Sequence, residues 1–198
     1  MNPTLRPSLA SLSARGGRKI MFYDTSVLIN FHRAALLPNL TKLLGGDVAW
    51  VATVQMECAR KERELALPGL KEAAEGLLGE PLRPEQGEHL PIRQLRSMMA
   101  EPGDHEEAHL GEAETLTLIE KRRLNAIIAA DDRSVARFAG STATVNTWGL
   151  LRFCFSRGCV TLDEAMTLWK AFGDSGGTWP KHLATKENFV DYLNRRSR

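Results

Sequence analysis

The sequence predicts an α/β fold: a three-layer α/β/α sandwich on a parallel sheet, with a helical insertion and C-terminal helices. Three observations predict it. Short apolar runs end in an acid, Ile20–Tyr23 before Asp24 and Ala126–Ala130 before Asp131. The second of these runs has no polar side chain, the pattern of a parallel strand covered on both faces. Each run is followed by a segment with helical start signals, and strand followed by helix is the order that builds parallel sheets.

The chain of 198 residues, 43% hydrophobic and 25% charged, suits one globular domain with additions. Residues 1–19 carry Arg6, Arg15, Arg18 and Lys19 with no acid and read as a disordered or flexible tail. Without them the formal charge of +2 turns slightly acidic, so net charge gives no argument for nucleic acid. Cys58, Cys154 and Cys159 form no Cys-x-x-Cys, which excludes a thiolate zinc site and a disulfide framework as readings. No apolar run is long enough for a membrane span, and a soluble, cytoplasmic protein is expected.

Ile20–Tyr23 reads as the first strand, ending in Asp24, with Thr25 or Ser26 capping the helix that follows. Leu36, Leu37, Leu40, Leu43 and Leu44 recur at helical spacing, Pro38 fits a first turn, and Gly45-Gly46 stops the segment. Val48–Val51 is the second strand, and Thr53 can cap a helix that carries Glu57 one turn in. Pro and Gly interrupt the Leu-rich pieces that follow, giving a helical insertion over about residues 63–108. Thr144-Val145-Asn146 reads as a further strand before an apolar helix that ends near Gly158. Thr161-Leu162-Asp163-Glu164 is a capping box, and a last helix starts after Thr185, so residues 158–198 form a helical extension packed on a domain of residues 20–157.

The most informative stretch is Leu110–Ala139, which reads as helix, buried strand, acidic strand end and helix. Glu112 and Glu114 suit a helix N-terminus, and Lys121, Arg122 and Arg123 suit its C-terminus. Residues two apart do not share a helix face. Glu112 lies on the stripe of Leu116 and Ile119, so it is the glutamate expected at the sheet edge, with Glu114 turned away.

Four acids then occupy corresponding places: Asp24 and Asp131 after strands, Glu57 early in a helix after a strand, and Glu112 at a helix start. An all-carboxylate set selects Mg²⁺ or Mn²⁺ over zinc, and such ions serve in-line phosphoryl displacement. The bland reading of any one of these acids is a solvated cap.

The segments Phe22-Tyr23-Asp24-Thr25-Ser26-Val27-Leu28-Ile29, Glu57 in its helix, Gly111-Glu112-Ala113-Glu114 and Ile128-Ala129-Ala130-Asp131-Asp132-Arg133 with Ala136-Arg137 carry a resemblance. Together they resemble PIN-domain ribonucleases, a family that includes the VapC-like toxins of toxin–antitoxin pairs. The similarity runs from about Ile20 to Leu151. It implies an α/β/α sandwich and a metal-dependent endoribonuclease in which Asp24, Glu57, Glu112 and Asp131 hold Mg²⁺ or Mn²⁺, with Ser26 beside Asp24. It further implies an RNA substrate, an antitoxin protein as a candidate partner, and a homodimer as a candidate assembly. Glu114 and Asp132 stand as alternatives to Glu112 and Asp131.

Arg60, Arg133 and Arg137 are candidates for holding phosphates, with solvated surface charge as the competing reading. The main rival function is a non-catalytic PIN-like module that binds RNA or forms complexes. A remote one is a zinc metalloprotease, because His105-Glu106-Glu107-Ala108-His109 fits His-Glu-x-x-His. A phosphoaspartate hydrolase would want an acid where Ser26 stands.

Overall fold

A computed structural model describes residues 19–40, 42 and 47–195, so the tail expected at residues 1–18 lies outside the described residues. Four strands, β1 (Ile20–Tyr23), β2 (Val48–Ala49), β3 (Ala126–Ala129) and β4 (Ala143–Val145), form one sheet of order β2-β1-β3-β4. Every pairing is parallel, with Tyr23 opposite Ala129 and Ala129 opposite Val145. The sheet is flanked by helices, the α/β/α sandwich that the apolar runs predict. All four residues of β1 are buried, as a strand between two neighbours and under two helical layers must be.

Following the chain, the helices are α1 (Thr25–Arg33), α2 (Leu37–Leu40), α3 (Ala52–Glu64), α4 (Leu70–Leu78), α5 (His89–Met99), α6 (Leu110–Lys121), α7 (Arg133–Phe138), α8 (Thr147–Ser156), α9 (Leu162–Asp174) and α10 (Lys186–Asn194). A 3₁₀ turn, Lys181–Leu183, precedes the last. None is long and apolar enough to cross a membrane.

Several boundaries differ from the sequence reading. Asp24, not Thr25 or Ser26, is the N-cap of α1, since its carboxylate accepts from Ser26 N. Helix α3 starts at Ala52, before the expected cap Thr53, and its N-cap Val51 has no side-chain acceptor to offer. The Leu-rich helix expected after Leu36 is the four-residue α2 with Pro38 in its first turn, while Leu43, Leu44, Gly45 and Gly46 lie outside the described residues. Asn146 ends the fourth strand early because its side chain caps α8, accepting from Gly149 N.

The insertion is an integral layer. Leu82 N donates to Trp50 O at 2.9 Å and Ala52 N donates to Leu82 O at 2.9 Å, so residue 82 covers the free edge beside β2. Helix α5 lies along α6, and a fork fixes the pair: Arg122 Nε and Nη2 donate to Glu88 at 2.9 and 2.6 Å, and Nη2 also donates to Arg83 O at 2.7 Å. The guanidinium holds the half-enclosed Glu88 carboxyl below its ordinary pKa. Arg122→Ala would leave that carboxylate and a carbonyl unpaired, and we expect a loss of about 2 kcal/mol in chemical denaturation. An unchanged unfolding midpoint would show the fork to be ornamental.

The C-terminal helices also belong to the core. The Thr161–Glu164 capping box forms as read, and α9 packs on α1. Trp148 meets Phe172 edge-on at 5.0 Å, and Trp169 stacks on Trp179 at 5.0 Å while donating its indole N–H to Leu183 O. Gly173 permits this packing, because a Cβ there would fall 2.0 Å from the Trp179 ring.

Candidate metal centre

The chain passes from β1 to β2 on one side of the sheet and then returns across it to β3 on the other. Between β1 and β3 the winding reverses, and open parallel sheets form their crevice beyond the carboxyl ends of such strands. Asp24 follows β1 directly, its N–H donating to Ala129 O at 2.9 Å, and Asp131 lies two residues past β3.

Asp24 is 8% exposed, and its Oδ2 accepts from Ser26 N at 3.1 Å and from Ser26 Oγ at 2.6 Å. That same Oγ accepts from Asp131 N at 3.3 Å, so one hydroxyl bridges the two strand ends. Glu57 points from α3 to the start of α1, where Thr25 Oγ1 donates to its Oε2 at 2.5 Å. The N–H of Gly111 also donates to Glu57. Glycine lets the two helices approach closely there, since a Cβ on residue 111 would press on Glu57 Oε1 at 3.1 Å and Val54 Cγ2 at 3.2 Å. Glu112 follows in the first turn of α6.

Asp24, Glu57 and Glu112 thereby line one cavity of about 550 Å³, with Arg60 and His109 among its other walls. Burial raises the pKa of all three; the charge of Asp24 adds to it at Glu57 and Glu112, and that of Asp131 adds to it at Asp24. Glu112 is pushed up to about 8, first by desolvation and then by the charge of Asp24. Arg60 offsets Glu57 only in part, since it is bonded to Glu107 and lies 3.7 Å from Glu64. Clustered acids with raised pKa values and only a partial counter-charge form a place where a cation would be stabilised.

Asp131 stands beside this group rather than in its cavity. Its carboxylate accepts from Thr147 N at 2.7 Å, Thr147 Oγ1 at 2.7 Å and Asn30 Nδ2 at 2.9 Å, and it lines a neighbouring cavity of about 600 Å³ with Trp148 and Phe172. Its charge still reaches Asp24 and raises that group. Asp132 caps α7, accepting from Ser134 N at 2.7 Å, and faces Glu112 and His109. Among the described residues, His109, Glu112 and Asp132 offer three ligand atoms within 4.8 Å of one another, a group that could hold a metal ion. His109 is the site residue that sequence reasoning missed. Its membership of His105-Glu106-Glu107-Ala108-His109 masks the relevant signal, its place one residue before Leu110 and three before Glu112.

Glu114 is turned away from the cavity, as the helix-face argument expects, but it is not solvated. It is 3% exposed and accepts from Ala52 N at 3.1 Å and from Thr53 Oγ1, supplying the cap that Val51 lacks. His105 and His109 do not form a zinc-binding helical face, because residues 106–109 are turns and α6 begins only at Leu110. Of the three candidate phosphate holders, Arg60 lines the acidic cavity, Arg133 is exposed between the adjoining cavities, and the Arg137 guanidinium lies 4.8 Å from the Phe138 ring centre.

No family model, no curated protein and no solved structure matches the chain, so what can be said of its function stands on this geometry and on the motifs.

Proposed function

We propose that the chain is a metal-dependent endoribonuclease of the PIN type that hydrolyses RNA phosphodiester bonds with Mg²⁺ or Mn²⁺. The observation that carries this reading is the convergence of buried Asp24 with half-buried Glu57 and Glu112 at the point where the sheet's winding reverses. The donor set fits a hard divalent ion, which when bound supplies an activated water and charge neutralisation at the phosphate. The chain's own residues supply orientation. Ser26 and Thr25 fix the Asp24 and Glu57 carboxylates, and Thr147 and Asn30 fix Asp131; Arg60 and Lys61 stand on the rim, each ion-paired to a glutamate from which a phosphate would have to draw it. RNA as substrate, an antitoxin as partner and a cytoplasmic site of action come from the motif resemblance.

The test is a cleavage assay of the full chain on an end-labelled single-stranded RNA, in chelator and after return of Mg²⁺ or Mn²⁺, with single-stranded DNA in parallel. RNA should be cut only with an added ion. RNA that is retained by the protein but stays intact with both ions would replace this reading by the non-catalytic RNA-binding one.

A further inference from the structure

We infer that His109 is a direct ligand of a second cation position, which shares Glu112 with the three-acid cavity, takes Asp132 as its third protein ligand and prefers Mn²⁺ to Mg²⁺, with Asp104 as the positioning residue for the imidazole. The inference deepens the metal-centre half of the proposed function and does not depend on RNA as the substrate.

His109 Nε2 lies 3.2 Å from Asp104 Oδ2. A carboxylate accepts, so this contact takes a ring proton on Nε2; Nδ1 also faces a carboxylate, and it is the geometry there that argues for a lone pair. That nitrogen is shielded from solvent and 3.0 Å from Asp132 Oδ2, yet out of line for a hydrogen bond. Two ligand atoms set at that spacing are joined by a proton or by a cation, and a contact out of line for the proton favours the cation. Octahedral ligands with bonds of about 2.1 Å lie about 3.0 Å apart along an edge, and the remaining donor, on Glu112, lies within 4.8 Å of both. An imidazole bonded outward to a carboxylate and inward to a metal is the usual arrangement of a ligating histidine.

The backbone is set up for this placement at some cost. His109 sits at the N-cap of α6 with φ 62, a left-handed conformation that a histidine adopts at a cost of about 1 kcal/mol. Arg96 of α5 holds the preceding turn, donating to Ala108 O at 3.0 Å and to His105 O. The insertion therefore delivers the imidazole to the first turn of α6. A nitrogen donor beside two carboxylates suits Mn²⁺ better than Mg²⁺, which favours an all-oxygen shell and keeps its waters.

The decisive measurement is made on the metal-free full chain without RNA, titrated with Mn²⁺ alone and with Mg²⁺ alone. Pulsed electron paramagnetic resonance of bound Mn²⁺ should show coupling to a histidine nitrogen in the wild type. His109→Asn, which keeps a residue tolerant of the left-handed backbone, should lose that coupling and bind Mn²⁺ at least about tenfold more weakly, with Mg²⁺ affinity changed far less. Asp104→Asn lies on an exposed turn; it should keep the coupling and weaken Mn²⁺ binding by about tenfold. Absence of nitrogen coupling in the wild type would overturn the inference and leave His109 as an ion-pair partner of Asp104 and Asp132. So would Mn²⁺ affinity that is equal in wild type and His109→Asn. Nitrogen coupling in a protein that fails to cut RNA would sink the nuclease reading and leave this one standing.

Discussion

Asp24→Asn is expected to lower RNA cleavage by about 10³-fold or more while leaving the protein as stable as before, or more so. Asparagine has the size of aspartate and caps helices equally well, so its carbonyl oxygen can keep the bonds from Ser26 N and Oγ. What disappears is a buried negative charge that raises Glu57 and Glu112 and is itself raised by Asp131. Relief of that repulsion favours the folded state, and loss of the charge removes a cation ligand. Cleavage rates and thermal unfolding measured on one preparation decide the matter: a variant as active as the wild type would remove the ribonuclease reading.

The second large effect separates the two glutamates of α6. Glu112→Gln should cut turnover about as sharply as Asp24→Asn, because Glu112 belongs to both the three-acid cavity and the His109 group. Glu114→Gln should act on folding instead. Its carboxylate accepts from a backbone N–H and a hydroxyl at the start of α3, and an amide can replace only part of that acceptor capacity. A loss of about 1–2 kcal/mol follows, with activity reduced only a few-fold through the displacement of Glu57 on the same helix. Denaturation midpoints would then order the variants one way and cleavage rates the other.

Glu112 also sets a pH dependence. With its pKa pushed up to about 8 from an ordinary 4.5, the folded metal-free protein holds a proton that the unfolded chain releases. The contribution is present below about 4.5 and is lost as pH rises through 8, since the native state binds more protons in that window. Stability of the metal-free protein should therefore fall across this range, and the fall should be shallower in Glu112→Gln. Urea midpoints at the two ends would show a parallel fall in both proteins if the carboxyl were ordinary.

The parts of the fold that read correctly from sequence are those set by local pattern. The apolar runs at Ile20 and Ala126 become the paired central strands, and Thr161-Leu162-Asp163-Glu164 closes as a capping box, because each needs only neighbours in the chain. Glu112 could be told from Glu114 by helical geometry alone. What failed depended on distant partners. The cap of α3 comes from Glu114, 62 residues away from Ala52, and nothing local to Thr53 signals it. Asp131 and Asp132 lie side by side at a strand end, and only the positions of Thr147 and His109 decide which acid faces which cavity. His109 stayed hidden because its left-handed backbone, which places the ring, is fixed by Arg96 on another helix.

Helix α1 carries a consequence for the dynamics of the acidic site. Asp24 caps it, Thr25 holds Glu57, Ser26 holds Asp24, and Asn30 holds Asp131, all within two turns whose inward residues Val27, Leu28 and Phe31 are wholly buried. Amide protons of such a segment exchange with solvent only when the whole domain opens, on a scale set by global unfolding. The side chains that hold Asp24, Glu57 and Asp131 thus share one well-buried helix, and the spacing of these acids is set by it. The exposed turn of residues 101–107, which leads to His109, has the shallow backbone bonding that permits opening on shorter timescales. Local opening of that turn would move Asp104 and with it the His109 ring, so backbone exchange there and the hold on the imidazole are coupled, while Asp24 stays fixed by α1.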